Sequence, residues 1–460
     1  METIAAISTA TGNGGIGIIR MSGNNCFEIL KKIFKTSKND KLNIDKIKGY
    51  TIQYGYIIDS QTNEIIDEVL VSFFKNPKSY TRENMCEINS HGGMVVEKRI
   101  LEQCLKNGAI LAEPGEFTKR AFLNGRIDLS QAESIIDIIN SKTEKEAKAS
   151  VNQLQGYLSE NIKKIRFKLL DIMADIEASI DYPEYDIEEV TNNRALNVLK
   201  SVKGELRILE ESFNNGKILK EGIKTVIIGK PNAGKSSLLN TILKEERAIV
   251  SDIEGTTRDT IEELVTIKGI PLKIIDTAGI RNTTDIIEEM GVEKALKVAD
   301  DADLVLAILD NTRNIDDQDL KILDLIKNKK SIILLNKIDL IDNNLEKNKE
   351  ILNTGKTVIK ISTKNRYGIE NLYKKIEEMF NIKEIDIDSG NIITNIRHKN
   401  QITFSIKSIE EAIQAINFNL PIDIISISIK QALEDLGKIT GENVGEDIIN
   451  EIFSKFCLGK

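Results

Sequence analysis

The sequence has few of the residues from which disulfide frameworks and metal sites are built. Its four cysteines are Cys26, Cys86, Cys104 and Cys457. They show no paired spacing, which argues against a disulfide scaffold or a zinc ribbon and fits a reducing compartment. The chain has two histidines, His91 and His398, so a histidine-rich metal or base site is excluded. His91, within Ser-His-Gly-Gly, is more typical of a turn than of a ligand.

Excess positive charge and long apolar segments are also missing. Lysine and arginine total 63 against 71 acidic residues, and the net charge is −8. Proteins that mainly grip nucleic-acid phosphates are usually basic, so any RNA contact here must be a local patch or be shared with a partner. Apolar runs such as 302–309 are too short to cross a bilayer. The first residues lack the basic segment of a signal peptide, and we expect a soluble, cytoplasmic protein.

The chain has 460 residues, too long for one core, and the pattern of its apolar residues changes along its length. Residues 1–118 mix short apolar strands with short helices, which predicts an α+β domain. The elements predicted there are strands over 4–8, 16–21 and 68–74 and a helix over 24–35 whose apolar face includes Phe34.

Residues 119–215 have a helical period. Ser130 and Glu133 match a capping box that would start a helix. Apolar residues at spacings of three and four between 154 and 180 predict one long helix, or two helices broken near Gly156. The Asp181-Tyr182-Pro183 stretch ends this pattern.

Residues 216–380 alternate strand and helix, and residues 381–460 become helical again. The nearly continuous apolar runs in the first of these segments, 225–228, 272–275, 304–309 and 332–335, are what buried parallel strands need. The simplest layout is a helical domain made of two sequence segments, with an α/β domain of the doubly wound, Ras-like type inserted between them.

Residues 229–236, Gly-Lys-Pro-Asn-Ala-Gly-Lys-Ser, form a P-loop motif between a strand and a helix, the context that this motif requires. Its backbone N–H groups would wrap the phosphates, Lys235 would reach the β- and γ-phosphates, and the Ser236 hydroxyl would hold Mg²⁺. The predicted nucleotide contacts of this segment are Asn232, Ala233, Gly234, Lys235, Ser236 and Ser237.

Three further motifs follow in order, each at the carboxyl end of a predicted strand, where doubly wound sheets bind ligands. The carboxylate of Asp339 can accept two hydrogen bonds from guanine, whereas adenine offers no such donor pair. The predicted contacts are Asp276, Thr277, Ala278, Gly279, Asn336, Lys337, Asp339 and Ser362.

Two details bear on hydrolysis. Ile280 follows Asp276-Thr277-Ala278-Gly279, where small signalling GTPases use glutamine to orient the attacking water, so another arrangement is needed. The run Gly255-Thr256-Thr257-Arg258-Asp259 fits a switch loop, with Thr257 as the second Mg²⁺ ligand.

The Pro-Asn-Ala-Gly-Lys-Ser loop, the Gly-Thr-Thr-Arg-Asp loop and residues 457–460, Cys-Leu-Gly-Lys, together resemble the MnmE/TrmE family of tRNA modification GTPases over the whole chain. The resemblance implies a discontinuous helical domain and a homodimer formed by the N-terminal domain. It also implies a heterotetramer with the flavoprotein MnmG. Together the two proteins would add an aminomethyl or carboxymethylaminomethyl group to C5 of the tRNA wobble uridine, and GTP hydrolysis would drive motion of the G domain.

The same resemblance implies K⁺-activated hydrolysis, with a monovalent cation offsetting γ-phosphate charge as an arginine finger does elsewhere. Glu288 matches the catalytic glutamate that positions water indirectly, although the neighbouring Glu289 leaves the register open; Lys235 completes the predicted catalytic set of this site. The positions that match K⁺ ligands are Asn232, Ser251, Ile253 and Thr256.

A folate site for 5-formyl-tetrahydrofolate is implied as well. Cys457 would supply a catalytic thiol near the one-carbon donor, or simply pack as a small apolar residue. The segment Thr81-Arg82-Glu83-Asn84 departs from the usual Thr-Gly-Glu-Asp, and Arg126 replaces a frequent lysine. The positions that match the folate site are Arg20, Glu87, Arg126 and Lys460.

Two alternative interpretations of the sequence each predict a feature that can be looked for. Gly12-x-Gly14-x-x-Gly17 fits a dinucleotide fingerprint literally, but these glycines precede a predicted strand instead of opening a helix, so we reject that interpretation. A non-enzymatic GTPase that regulates ribosome assembly would use the same nucleotide motifs. It would carry a basic RNA-binding domain of the KH or OB type, of which the sequence shows no sign.

Overall fold

The structure is a computed structural model that describes residues 2–10, 12, 14–36, 48–181, 188–245, 262–267, 269–275, 300–340, 345, 348–381 and 392–460. The chain divides into two compact units. The first comprises Met1–Ile136, Leu154–Ser159 and Leu433–Lys460, and the second comprises Asp137–Gln153 and Glu160–Ala432.

The first unit contains a seven-stranded sheet in the order β3-β4-β5-β6-β2-β1-β7 among its described residues. Neighbouring strands are antiparallel, except that β1 and β7 run parallel. The strands are β1 Ile4–Ile7, β2 Ile16–Ser22, β3 Phe34–Thr36, β4 Thr51–Ile58, β5 Ile65–Phe74, β6 Met85–His91 and β7 Ile110–Leu111.

The second unit contains a six-stranded sheet in the order β13-β12-β11-β8-β10-β9. Five strands are parallel, and β9 pairs antiparallel with β10 at one edge. The strands are β8 Ile223–Gly229, β9 Glu262–Ile267, β10 Ile270–Ile275, β11 Leu304–Asp310, β12 Ser331–Asn336 and β13 Thr357–Lys360.

Fourteen helices complete the described part of the chain. None of them is both long enough and apolar enough to cross a membrane. They are α1 Cys26–Ile33, α2 Met94–Lys106, α3 Glu116–Leu123, α4 Leu129–Asn140, α5 Glu144–Leu154, α6 Tyr157–Asp181, α7 Glu188–Glu221, α8 Lys235–Glu245, α9 Asp317–Ile326, α10 Lys349–Leu352, α11 Ile369–Met379, α12 Ile396–Asn417, α13 Ile422–Thr440 and α14 Glu446–Ser454.

The central strands of the parallel sheet are buried on both faces. All six residues of β12 are buried, and so are the first six of β11. Side chains of β8 from the two faces enter two separate apolar clusters, with Ile227 in one and Val226 in the other. This is why the sequence of these strands is continuously apolar instead of alternating, and the predicted doubly wound sheet is confirmed.

Two local predictions needed correction. The helix expected over 24–35 ends at Ile33, and Phe34 begins β3 because it pairs with Ile57 across the sheet. The helix α4 is capped two residues earlier than predicted. Asp128 Oδ1 accepts from the Gln131 N–H at 3.0 Å, and Gln131 Oε1 accepts from the Asp128 N–H at 2.9 Å, which is a reciprocal capping box.

The long apolar stripe is divided at Gly156. This residue has φ +92°, and the chain forms α5 before it and α6 after it. The helix α6 is described as far as Asp181, and the stop predicted from Asp181-Tyr182-Pro183 falls on residues outside the described part of the chain. The glycine-rich segment 12–17 leads into β2, which confirms that it does not open a helix.

Candidate functional site

The P-loop joins the end of β8 to the start of α8, in the middle of the parallel sheet. Asn336 is the last residue of β12, and Ser362 lies just beyond β13. Because the carboxyl ends of parallel strands meet at one edge of a sheet, these three segments come together there. Ser236 and Ser237 lie in the first turn of α8.

Asn336 fastens the P-loop to the loop after β13. Its Nδ2 donates to the Ala233 carbonyl at 2.8 Å, and its Oδ1 accepts from the Thr363 N–H at 3.2 Å. The neighbouring Gly234 has φ +107°, and a Cβ there would lie 2.1 Å from Asn336 Nδ2. Glycine is therefore needed at this position for its backbone angle and for the space that Asn336 occupies.

The ammonium group of Lys235 lies inside the loop. Its Nζ donates to the carbonyl oxygens of Gly229 at 2.8 Å and Lys230 at 2.9 Å. Burial lowers the pKa of this lysine because the charged form is partly removed from water. The geometry places one positive charge at the mouth of the loop, held by two neutral acceptors.

Lys230 ties the P-loop to the start of α9 by ion pairs, a role that the sequence analysis missed. Its side chain is 5% exposed and forms ion pairs with Asp316 and with Asp319, the latter at 2.6 Å. Asp316 also caps α9 by accepting from backbone N–H groups of that helix. The hydrogen bond from Lys230 is the main cause that lowers the pKa of Asp316. The sequence carried one signal for this role, namely the aspartates at the start of α9, shortly after the apolar strand β11.

The predicted base-recognition residues are brought together. The Ser362 hydroxyl donates to Asp339 Oδ1 at 2.6 Å and accepts from the Asn365 N–H at 3.2 Å. Ser362 is 1% exposed and Asp339 is exposed, so only the serine side of this hydrogen bond is sheltered from water. The arrangement fixes the direction of the Asp339 carboxylate, which is the group that a guanine N1–H and NH₂ would address.

Lys337 adopts a left-handed conformation with φ +67°, and its Nζ contacts Asp310 Oδ2 at 2.7 Å. Burial alone would raise the pKa of Asp310, but the hydrogen bonds from Lys337 and Thr312 outweigh it and lower that pKa. The stem of Lys337 is thereby fixed beside the base-recognition carboxylate.

Nine predicted site residues lie outside the described part of the chain, so the structure does not place them. They comprise one complete strand-end motif, the switch-loop positions and the candidate catalytic glutamate. They are Asp276, Thr277, Ala278, Gly279, Ser251, Ile253, Thr256, Thr257 and Glu288.

A second polar cluster lies in the first unit. Arg20 on β2 faces Glu87 on β6, and the Arg20 Nη2 to Glu87 Oε1 distance is 2.8 Å. The Cζ atoms of Arg20 and Arg126 lie 5.5 Å and 4.7 Å from the centroid of the Tyr80 ring. Two guanidinium groups therefore contact one aromatic ring. The sequence analysis did not single out Tyr80.

Tyr80 is itself held in place. Its hydroxyl is 2.8 Å from Thr118 Oγ1, and burial raises its pKa against the opposing effects of Thr118, Arg20 and Arg126. The Tyr80 phenol therefore remains neutral at physiological pH, and Glu87 balances the charge of Arg20 alone.

Residues 457–460 pack against this cluster. The Gly459 carbonyl accepts from Arg20 Nη1 at 3.1 Å and from Ser8 Oγ at 3.0 Å. Gly459 has φ +84°, and a Cβ there would lie 2.3 Å from the Ile7 carbonyl oxygen. Lys460 is next in the chain and partly exposed. The structure thus gathers Arg20, Arg126, Glu87 and the Gly459–Lys460 segment in one place.

Cys457 is exposed, so the alternative of a buried, packed thiol is wrong. Arg82, which stands where the resembling family has glycine, has φ +58°, and its Nη1 donates to the Asn124 carbonyl at 2.9 Å. The turn keeps the left-handed backbone for which glycine is favoured, and the long side chain stabilises it.

Sequence comparisons identify the family of the chain. A family described as "GTP-binding protein TrmE N-terminus" matches residues 3–126, and one described as "MnmE helical domain" matches residues 129–457. The protein "tRNA modification GTPase MnmE" of Acetivibrio thermocellus is 53% identical over 459 residues, covering 100% of this chain and 99% of that protein. Its namesake in Finegoldia magna is 53% identical over 464 residues, covering 100% of both chains. The chain therefore belongs to the MnmE family of tRNA modification GTPases.

Proposed function

We propose that the chain is a K⁺-activated GTPase that adds a carboxymethylaminomethyl or aminomethyl group to C5 of the wobble uridine of certain tRNAs. It would act in the cytoplasm as a homodimer, together with a flavoprotein of the MnmG kind. Hydrolysis would drive motion of the domain spanning 216–380, inserted between helical segments 119–215 and 381–460. The contact that carries the proposal is the Ser362–Asp339 hydrogen bond, which aims a carboxylate for guanine.

The phosphate chemistry would use Lys235 and Ser236 of the P-loop, together with Thr257 and Glu288, which lie outside the described residues. A γ-phosphate oxygen can replace the two carbonyls that hold Lys235, giving the ammonium a negatively charged acceptor in place of neutral ones. Mg²⁺ would be held by the Ser236 hydroxyl and by Thr257, and when bound it neutralises phosphate charge. Glu288 would position the water indirectly.

The Asn232 side chain fits a monovalent cation site. It is an exposed residue of the P-loop and carries an amide oxygen, the kind of neutral ligand that K⁺ accepts. Ser251, Ile253 and Thr256 would complete the ligand set. Turnover should be much faster in K⁺ than in Na⁺ at equal ionic strength, so that screening is constant.

A variant at Asn232 tests this site without disturbing the backbone. Asn232 has φ +60°, which glycine adopts freely and alanine does not. Asn232→Gly should therefore abolish the K⁺ preference, while Asn232→Ala adds strain to the same loss. Equal K⁺ stimulation in the glycine variant and the parent would contradict the assignment.

The cluster around Tyr80 fits a folate. Arg20, Arg126 and Lys460 would pair with its carboxylates, and Tyr80 offers an aromatic ring against which arginines already stack. When bound, 5-formyl-tetrahydrofolate supplies the one-carbon unit. Glu87 orients Arg20, and the exposed Cys457 is the nearby thiol.

Nucleoside analysis of tRNA tests the function as a whole. Cells that lack the protein should lose the modified wobble uridine, and the full chain should restore it. A chain without residues 457–460 should keep K⁺-stimulated GTP turnover and fail to restore the nucleoside. Retention of the modification in the deletion strain would refute the proposed function and favour a regulatory GTPase instead.

A further inference from the structure

The second unit has a cleft whose walls are unusually rich in lysine. It lies along β13, the loop before β12 and helix α11, as two connected openings of about 400 Å³ and 510 Å³. Glu378 is the only acidic residue among the described residues that line it. The lining lysines are Lys327, Lys329, Lys330, Lys356, Lys360, Lys374 and Lys375. We refer to this feature as the lysine cleft.

The ratio of charges in the lysine cleft departs from that of the whole chain. The chain has more acidic than basic residues and a net charge of −8. Three cleft lysines have acidic partners: Lys327 with Asp324 at 2.8 Å, Lys329 with Asp300 at 2.6 Å and Lys375 with Glu378 at 3.1 Å.

Three other cleft lysines have no carboxylate partner among the described residues. Within the described part of the chain, Lys330, Lys356 and Lys374 form no ion pair. Lys330 Nζ lies 4.7 Å from the Phe380 ring centroid, and Lys356 Nζ donates to the Lys329 carbonyl at 2.7 Å. Neither contact neutralises the ammonium, and both hold it in a defined place. The cleft is therefore a fixed concentration of positive charge on an acidic protein.

Two of the unpaired lysines lie far from the nucleotide site, although Tyr367 at the other end of the lysine cleft pairs with Ser362. Lys330 and Lys356 precede the first residues of β12 and β13, whereas the P-loop and Asn336 lie at the carboxyl ends of the strands. The six residues of β12 span about 20 Å. An anion held by Lys330 and Lys356 would therefore not compete with GTP.

The other lining groups suit a folded RNA backbone. Tyr367, which is 60% exposed, offers a ring for a base, and Asn328 and Asn371 offer amides to phosphate or 2′-hydroxyl groups. Lysines spread along an open groove match the repeated charges of a polynucleotide. Because the net negative charge of the protein repels RNA, binding to RNA needs a local patch of positive charge of this kind.

We propose that the lysine cleft binds the phosphate backbone of the substrate tRNA. The inference rests on the proposed function for the identity of the RNA. The cleft would hold the tRNA body, while the nucleotide site remains free to turn over GTP.

The test compares two triple variants with equal changes in net charge. The first is Lys330→Gln, Lys356→Gln and Lys374→Gln. The matched control replaces three exposed lysines on α6 and α7, namely Lys163, Lys164 and Lys200, with glutamine. Anisotropy of labelled, unmodified tRNA is measured at three salt concentrations with the full chain, alone and with its flavoprotein partner. Circular dichroism establishes that both variants are folded.

The cleft variant should bind tRNA at least about tenfold more weakly, and the slope of log affinity against log salt should fall by about 2 to 3, whereas the control should match the parent. If Lys330→Gln impairs folding through Phe380, the Lys356→Gln, Lys374→Gln double variant is compared with a Lys163, Lys164 double. Unchanged tRNA affinity overturns the inference. So does a variant that keeps tRNA affinity but loses the flavoprotein, because the cleft would then bind an acidic protein surface.

Nucleoside analysis separates this inference from the proposed function. If deletion of the protein leaves the modified uridine in place, the proposed function fails. If deletion removes it and the cleft variant both restores it fully and binds tRNA like the parent, only the role of the lysine cleft fails.

Discussion

Replacing Lys230 with methionine should loosen the P-loop more than any exposed substitution nearby. The change keeps the aliphatic stem but removes the ammonium that Asp316 and Asp319 share. The side chain of Asp319 is 7% exposed, so it would be left as a nearly buried carboxylate with one partner fewer. Removing one member of a buried ion pair costs about 3 to 5 kcal/mol, and we expect the lower end because Asp316 is 56% exposed.

The expected loss can be measured as hydrogen exchange. A cost of about 3 kcal/mol corresponds to roughly a hundredfold faster exchange for amides whose opening breaks this contact. Those of β8 and the P-loop are expected to respond, since Lys235 donates to the Lys230 carbonyl. Exchange is preferred to a single melting curve because a chain with more than one unit need not unfold in one step.

Three variants make the reasoning refutable. Asp319→Asn should have a large effect, and Asp316→Asn a small one, because solvent screens the exposed carboxylate. The double variant Lys230→Met, Asp319→Leu should recover most of the lost protection, since an apolar pair removes both buried charges. Equal effects of the two aspartate variants, or a double variant as unstable as Lys230→Met, would show that the buried charge is not what holds the loop.

Three shorter predictions follow from single contacts. Gly459→Ala should detach residues 457–460, because its Cβ would lie 2.3 Å from the Ile7 carbonyl oxygen, whereas Gly445→Ala meets no atom within 4 Å; limited proteolysis should cut the first variant faster. Ser362→Ala should weaken GTP binding about tenfold by freeing Asp339, and Asp339→Asn should favour xanthine nucleotide, both measurable by calorimetry. Asp67 raises the pKa of His91, so the pair stabilises the fold fully below pH 6.5 and loses this effect as pH rises through the raised pKa. In the Asp67→Asn variant, the His91 pKa measured by NMR titration should move back toward its ordinary value. An unchanged pKa would exclude the ion pair.

Features with a local cause could be predicted from the sequence. A continuously apolar run of four to six residues favours a strand buried on both faces, which is why β11 and β12 were found. The phosphate loop needs glycine, lysine and serine at fixed spacing, and this short-range requirement survives in any context. The break at Gly156 is local in the same sense.

The positions of groups that meet across long stretches of chain were decided by the tertiary structure. Phe34 fits an apolar helix face equally well, and only its pairing with Ile57 makes it a strand residue. Lys230 acquires its partners 86 and 89 residues away, and Arg20 meets the Gly459 carbonyl 439 residues away. Local propensity carries no information about such pairings, because their energy appears only once separate elements have packed and excluded water from the groups between them.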